Sequence, residues 1–148
     1  FTEDIWISGL PRLHIDVSTA TVGGQIYALL EDCSEDGSCI HIGHAIMDLR
    51  YHEGGDQEQT WLPIFDTINA KMEFFAMDVQ IEAGHNLRLS LASTGEDYLP
   101  ASTSSIVEVS EGASSNLLID IIDPEEKLLF DPPKCMHQSC LDWLNQTV

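Results

Sequence analysis

Four cysteines and six histidines carry most of the chemistry that this 148-residue sequence offers near neutral pH. The cysteines form two close pairs, Cys33 with Cys39 and Cys135 with Cys140, with five and four residues between the partners. Each pair is near enough for a local disulfide, although four cysteines allow three connectivities. A four-thiolate zinc site is the competing reading, but these spacings fit the usual short zinc knuckles poorly. Disulfides are the better reading, and they imply an extracellular or other oxidising compartment. Among the histidines, His41 and His44 stand three residues apart, which on a regular strand places them on opposite faces. A bulge near Gly43 would bring them together, and a two-histidine metal site is the minor alternative that this leaves. His14 reads as an outward strand position and His85 as a hydrogen-bonding residue of a turn, while His52 and His137 fall in loop and tail. Asp32 and Asp36, in Asp32-Cys-Ser-Glu-Asp-Gly37, mimic the opening of a calcium loop. The twelfth position of that pattern is Gly43 where a bidentate Glu is needed, and the flanks read as strands. A hairpin turn is therefore the better account, with weak calcium binding as the alternative.

The common catalytic motifs are missing. There is no Gly-x-Ser-x-Gly elbow to expose a serine nucleophile. No Gly-x-Gly-x-x-Gly or Walker loop cradles phosphate, and His-Glu-x-x-His is absent. The sequence therefore assigns no catalytic residue and no cofactor. Charge excludes further classes: six Lys+Arg against 25 Asp+Glu give a formal net charge of −19. Such a chain has no basic patch for nucleic acid and is repelled by an anionic membrane surface. Its apolar runs are far shorter than the roughly 18 residues of a membrane span. An apolar content of 43%, regularly patterned, excludes disorder. The first residues lack the basic and apolar regions of a signal peptide, and a start at Phe1 is expected of a fragment or processed form.

The elements that must position these residues are strands, because the dominant hydrophobic period is two. Leu13, Ile15 and Val17 alternate with polar residues, and 25–31 forms a second run. Asp36-Gly37 then signals a hairpin turn. The run 40–51 changes parity, with Ile40 and Ile42 even but Ala45, Met47, Leu49 and Tyr51 odd, which predicts a bulge or bend near Gly43. Residues 52–59 read as an exposed loop. Phe75, Met77, Val79 and Ile81 alternate, then Leu87, Leu89 and Leu91, and 106–109 and 117–122 supply the last runs. Only 137–147 has a helical look, around Leu141, Trp143 and Leu144. The expectation is an all-β fold, an antiparallel jelly-roll β-sandwich (galactose-binding-like) over 1–123, with a tail over 124–148 carrying a short C-terminal helix. Asn145-Gln-Thr147 matches a glycosylation acceptor.

Four stretches carry a family resemblance. Ile7-Ser-Gly-Leu-Pro-Arg-Leu-His-Ile-Asp-Val-Ser18 resembles the opening strand of the C-terminal non-catalytic domain of X-Pro dipeptidyl-peptidases, cocaine esterase and α-amino-acid ester hydrolases. Gly24-Gln-Ile-Tyr-Ala-Leu-Leu-Glu-Asp-Cys-Ser-Glu-Asp-Gly37 is similar to that family's next strand and turn, with Cys33 where the family commonly has Val. Ile42-Gly-His-Ala-Ile-Met-Asp-Leu-Arg50 looks like the strand that follows. Ile81-Glu-Ala-Gly-His-Asn-Leu-Arg-Leu-Ser-Leu-Ala-Ser93 matches the family's Gly-His-x-Leu-Arg-Leu strand. The resemblance runs over 5–122 in order and spacing; the tail with the second cysteine pair has no counterpart.

This resemblance implies an accessory sandwich packed against an α/β-hydrolase catalytic domain in the same parent chain. Nucleophile, base and acid lie in that domain, and this chain contributes a wall of the substrate cavity. Self-association is left open. The alternative is a stand-alone carbohydrate- or ligand-binding module, for which Trp61 and Tyr98 are the ligand-contact candidates, with Trp6 and Tyr51 behind them.

Overall fold

A computed structural model describes residues 1–21, 23–52, 64–95, 98–99, 105–110, 112 and 114–122. The chain folds into strands β1 (Ile5–Gly9), β2 (Arg12–Thr19), β3 (Gln25–Cys33) and β4 (Cys39–Asp48). A 3-10 turn, η1 (Leu49–Tyr51), precedes β5 (Ile68–Glu73), β6 (Met77–Ile81) and β7 (Asn86–Ala92). The last strands are β8 (Val107–Ser110), β9 (Asn116–Leu118) and β10 (Ile121–Ile122). All pairings are antiparallel. One layer is the sheet β4-β3-β7. The other consists of two sheets, β5-β2-β8 with β9 also on β2, and β10-β1-β6, whose strands follow those of the first along the chain.

The two sheets of that second layer meet at a crease. The chain runs from β1 into β2, from β5 into β6 and from β9 into β10 with a break of two or three residues each time. The breaks lie side by side: Phe74 N donates to Pro11 O at 2.9 Å, and Ser8 N donates to Asp120 O at 3.2 Å. Pro11 has no N–H for the ladder, so the ladder stops there. Gly9, at φ +134°, makes the turn into it, and a Cβ at this position would lie 3.1 Å from Asp120 Oδ2. The crease explains two differences from the sequence reading. Phe75 falls in the break and is exposed, so its strand begins at Met77. The run 117–122 divides into β9 and β10.

Period-two alternation turns one face of each layer inward. Leu13, Ile15 and Val17 of β2 meet Ile26, Ala28 and Leu30 of β3, with Ala45, Ala70, Met72 and Phe74 closing the core. This is the antiparallel sandwich that the alternation predicts. The predicted parity switch is also present. Leu30 pairs with Gly43 and Glu31 with His41, which leaves Ile42 as an extra residue in β4. The strand stops at Asp48, earlier than the alternation through Tyr51 suggests. Asp48 accepts a hydrogen bond from Arg50 N at 3.0 Å and caps η1. Hydrophobic alternation does not predict strand β5, because Ala70 weakens the contrast between Ile68, Met72 and their polar neighbours. The helix expected over 137–147 and the whole tail over 124–148 lie outside the described residues, as does nearly all of the loop expected over 52–59.

Leu30 is fully buried on the central strand. Leu30→Ala is expected to cost about 2–5 kcal/mol of unfolding free energy, measured by urea denaturation.

Candidate functional site

The outer face of the β4-β3-β7 sheet gathers the densest set of chemically able side chains. Register places Leu29 between His44 and Ser90, and Glu31 between His41 and Arg88. All six therefore project from one face. On an unbroken strand His41 and His44 would face opposite ways; the extra residue Ile42 returns them to the same side. His44 Nδ1 lies 3.2 Å from His41 Nε2, and His44 Nε2 lies 2.9 Å from Tyr98 Oη. The His44 ring stacks on Tyr27 at 5.6 Å and meets the edge of Phe75 at 5.3 Å.

The turn after β7 completes this cluster. Tyr98 N donates to Gly95 O at 3.1 Å, and Thr94 Oγ1 donates to Tyr98 O at 3.0 Å. Gly95 is required here, since a Cβ would come within 2.5 Å of the Tyr27 ring. Tyr27, Leu29, His41, Ser90 and Thr94 line a groove of about 660 Å³ beside the cluster. Below it, Arg88 grips Glu31 through Nε and Nη2, both at 2.9 Å, and Ser90 Oγ donates to the same carboxylate at 2.9 Å. The Arg88 guanidinium holds the Glu31 carboxyl below its usual range, and Glu31 in turn raises Arg88.

A second groove, of about 530 Å³, opens where β4 passes β2 and β5. Arg12, His14 and Lys71 line it with Tyr51 and Glu73. His14 and Lys71 are direct cross-strand partners. Neither Arg12 nor Lys71 forms an ion pair with a carboxylate among the described residues. Asp48 lines the same groove, so its two cations are matched by two carboxylates, Asp48 and Glu73.

Of the two cysteine pairs, Cys33 and Cys39 are bonded to each other across the last register pair of β3 and β4. Cys135 and Cys140 lie outside the described residues. The turn that the disulfide closes is the predicted hairpin, with Gly37 at φ +86°. Asp36 accepts hydrogen bonds from Ser34 Oγ at 2.6 Å, from Ser38 N at 2.9 Å and from Ser38 Oγ. These donors hold the Asp36 carboxyl down to about 2. Asp32 is buried and accepts from His85 Nδ1 at 2.8 Å. The two calcium candidates are thus each engaged with their own donors, and His85 makes the turn hydrogen bond expected of it. Tyr98 is half-buried, with its ring against Tyr27 and His44. Trp6 Nε1 donates to Asp78 Oδ1 at 2.6 Å, and Trp61 lies outside the described residues. Among the described residues no group of three or more His, Cys, Asp or Glu side chains could hold a metal ion. No helix among them is long and apolar enough to cross a membrane.

The model of the X-Pro dipeptidyl-peptidase C-terminal non-catalytic domain matches residues 1–117. The chain belongs to this family. Its membership rests on the sequence itself, and the solved structures agree in fold. An aminopeptidase from a marine sediment archaeon (Thaumarchaeota archaeon) superposes with a TM-score of 0.70 at 15% identity, over 83% of this chain and 24% of its own. A CocE/NonD family hydrolase from Staphylococcus aureus gives 0.66 at 13% identity, over 82% of this chain and 29% of its own. A second structure described as the same hydrolase gives 0.69 at 13% identity, over 83% and 29%. The chain therefore spans less than a third of the length of these proteins. No curated protein matches the sequence.

Tyr27, Glu31 and Arg88 lie within the family stretches but no motif marks them as a cluster, Phe75 lies outside every stretch, and strand register is the signal in the sequence that could group the strand residues among them. Once the Asp36-Gly37 turn sets the β3–β4 pairing, positions 27, 29 and 31 fall on one face. The turn also yields a test. The folded Asp36 carboxyl, at about 2, titrates below its ordinary 3.8, so its contribution is present above that value and is lost as pH falls from about 4 to about 2. Asp36→Asn is expected to flatten the dependence of the urea midpoint on pH within that window and to leave it unchanged at pH 7 to 8.

Proposed function

We propose that this domain serves a serine hydrolase, of the X-Pro dipeptidyl-peptidase or acyl-ester hydrolase type, by packing on an α/β-hydrolase domain and forming one wall of its substrate cavity. The match over residues 1–117 to a non-catalytic domain family is the observation that carries this reading. Three further features support it. The similar structures are an aminopeptidase and CocE/NonD family hydrolases, and the matched fold occupies 24–29% of their chains. Among the described residues His41, His44 and His85 are tied to Asp32, to Tyr98 and to one another, His52 bonds the Leu49 carbonyl, and no hydrogen bond joins a histidine to a serine or cysteine nucleophile. Exposed apolar residues, Leu91, Ile106 and Val109, line an open seam of about 420 Å³ between β7 and β8, as a packing surface requires. In this reading the nucleophile, base and acid belong to the hydrolase domain, and the sandwich determines what fits beside them. The Cys33–Cys39 bond supports an oxidising compartment for the assembly.

The groove beside Tyr27 favours one other reading, a stand-alone carbohydrate- or ligand-binding module. The two separate by experiment. The gene encoding this chain is expected to encode a Gly-x-Ser-x-Gly segment upstream of Phe1. The full-length product is expected to hydrolyse X-Pro p-nitroanilides or short acyl esters, and residues 1–148 alone are expected to show no turnover above buffer. A natural chain that begins at Phe1, together with specific binding on a glycan array that Tyr27→Ala abolishes, would replace this reading with the second.

A further inference from the structure

We propose that His41 and His44 form a two-imidazole site for a borderline divalent cation of the zinc, copper or nickel type. The bulge at Ile42 sets the two rings side by side, with His41 Nε2 and His44 Nδ1 facing each other at 3.2 Å. Two bare imidazole lone pairs repel at that distance, so either a proton or a cation occupies the space between them. Bonds of about 2.0–2.1 Å from both nitrogens to one ion would subtend about 100° at the metal, between the octahedral and tetrahedral angles. Imidazole nitrogen suits zinc, copper and nickel, whereas magnesium and calcium take oxygen.

The surroundings fit this role. A histidine that ligates metal characteristically bonds a partner through its other nitrogen, which fixes the ring and its tautomer. His44 does so: its Nε2 lies 2.9 Å from Tyr98 Oη, and Tyr27 stacks on the ring. A hydroxyl accepts as well as donates, so Tyr98 can take the Nε2 proton's hydrogen bond and leave the Nδ1 lone pair toward His41. Glu31 stands directly across the strand pair from His41 and adds negative charge beside the site. Its carboxylate is held by Arg88 and Ser90, so it acts through space and not as a ligand. His41 lines the groove beside Tyr27, which leaves the remaining coordination positions to water or to a carboxylate ligand. Two protein ligands are fewer than the three or four of resident zinc sites, so the bound ion is exchangeable.

Zinc chloride titrated into the 148-residue chain decides the matter, followed by calorimetry and by two-dimensional NMR of the imidazole resonances. One equivalent is expected to bind, with the His41 and His44 signals moving together and those of His14, His52 and His85 unmoved. Magnesium chloride at the same concentration is expected to shift neither ring. His41→Gln and His44→Gln are expected to abolish this site. Tyr98→Phe is expected to weaken it about tenfold by freeing the His44 ring. The NMR readout on the unaltered chain stays decisive should a variant fold poorly. No zinc-dependent shift at His41 and His44, or zinc binding of undiminished affinity in both glutamine variants, would overturn the proposal.

Discussion

One extra residue in β4 governs the rest of this sandwich. Period-two alternation forces every inward side chain of a strand to one parity, and β4 cannot satisfy that rule along its whole length. Ile42 pairs with no residue of β3, so Gly43 lies opposite Leu30 while His41 lies opposite Glu31. The shift lets Ala45 and Met47 face the core on one side of the bulge and keeps His41 outward on the other. The same shift places His44 on the face of His41. Core packing and the outer cluster thus follow from a single local irregularity.

The two layers are tied differently. The sheet β4-β3-β7 is closed at one end by the Cys33–Cys39 bond and by the Asp36 turn, both at the limit of its central hairpin. In the chain-entropy model so short a loop gains about 2 kcal/mol from the cross-link. The creased layer has no such bond among the described residues. It is held by the two hydrogen bonds across the crease and by Asp16, whose buried carboxylate accepts from Asn69 Nδ2 at 2.8 Å and from Ser114 Oγ. Those donors keep the Asp16 carboxyl below its usual range and join β2 to β5 and to the β8–β9 connection. The acidic surface suits this arrangement, because the carboxylates with defined roles, Asp16, Glu31, Asp32 and Asp36, each have hydrogen-bond donors of their own.

Function divides along the same line. The family is one of non-catalytic domains, and in the proposed reading bond cleavage belongs to another domain. What this domain offers is shape: an apolar seam at the β7–β8 side, a groove beside Tyr27 and a groove of mixed charge at Arg12, Lys71, Asp48 and Glu73. In the proposed reading such grooves hold a ligand or a neighbouring domain, and they need no activated group of their own.

Much of the fold is legible in residue order. Alternation at 13–17, 25–31 and 87–91 identifies the strands, the change of parity after Ile42 identifies the bulge, and Asp36-Gly37 identifies the hairpin. The four family motifs identify the domain. Each of these signals is local, because strand period and turn chemistry depend on neighbours within a few residues. Tertiary structure alone decided which outward residues meet. The contacts of His44 with Tyr98 and Phe75, of Asp32 with His85 and of Arg12 with the Lys71 groove join residues some 31 to 59 positions apart. Outward positions carry no hydrophobic pattern to reveal their partners, so only the pairing of strands and the closing of turns bring them together.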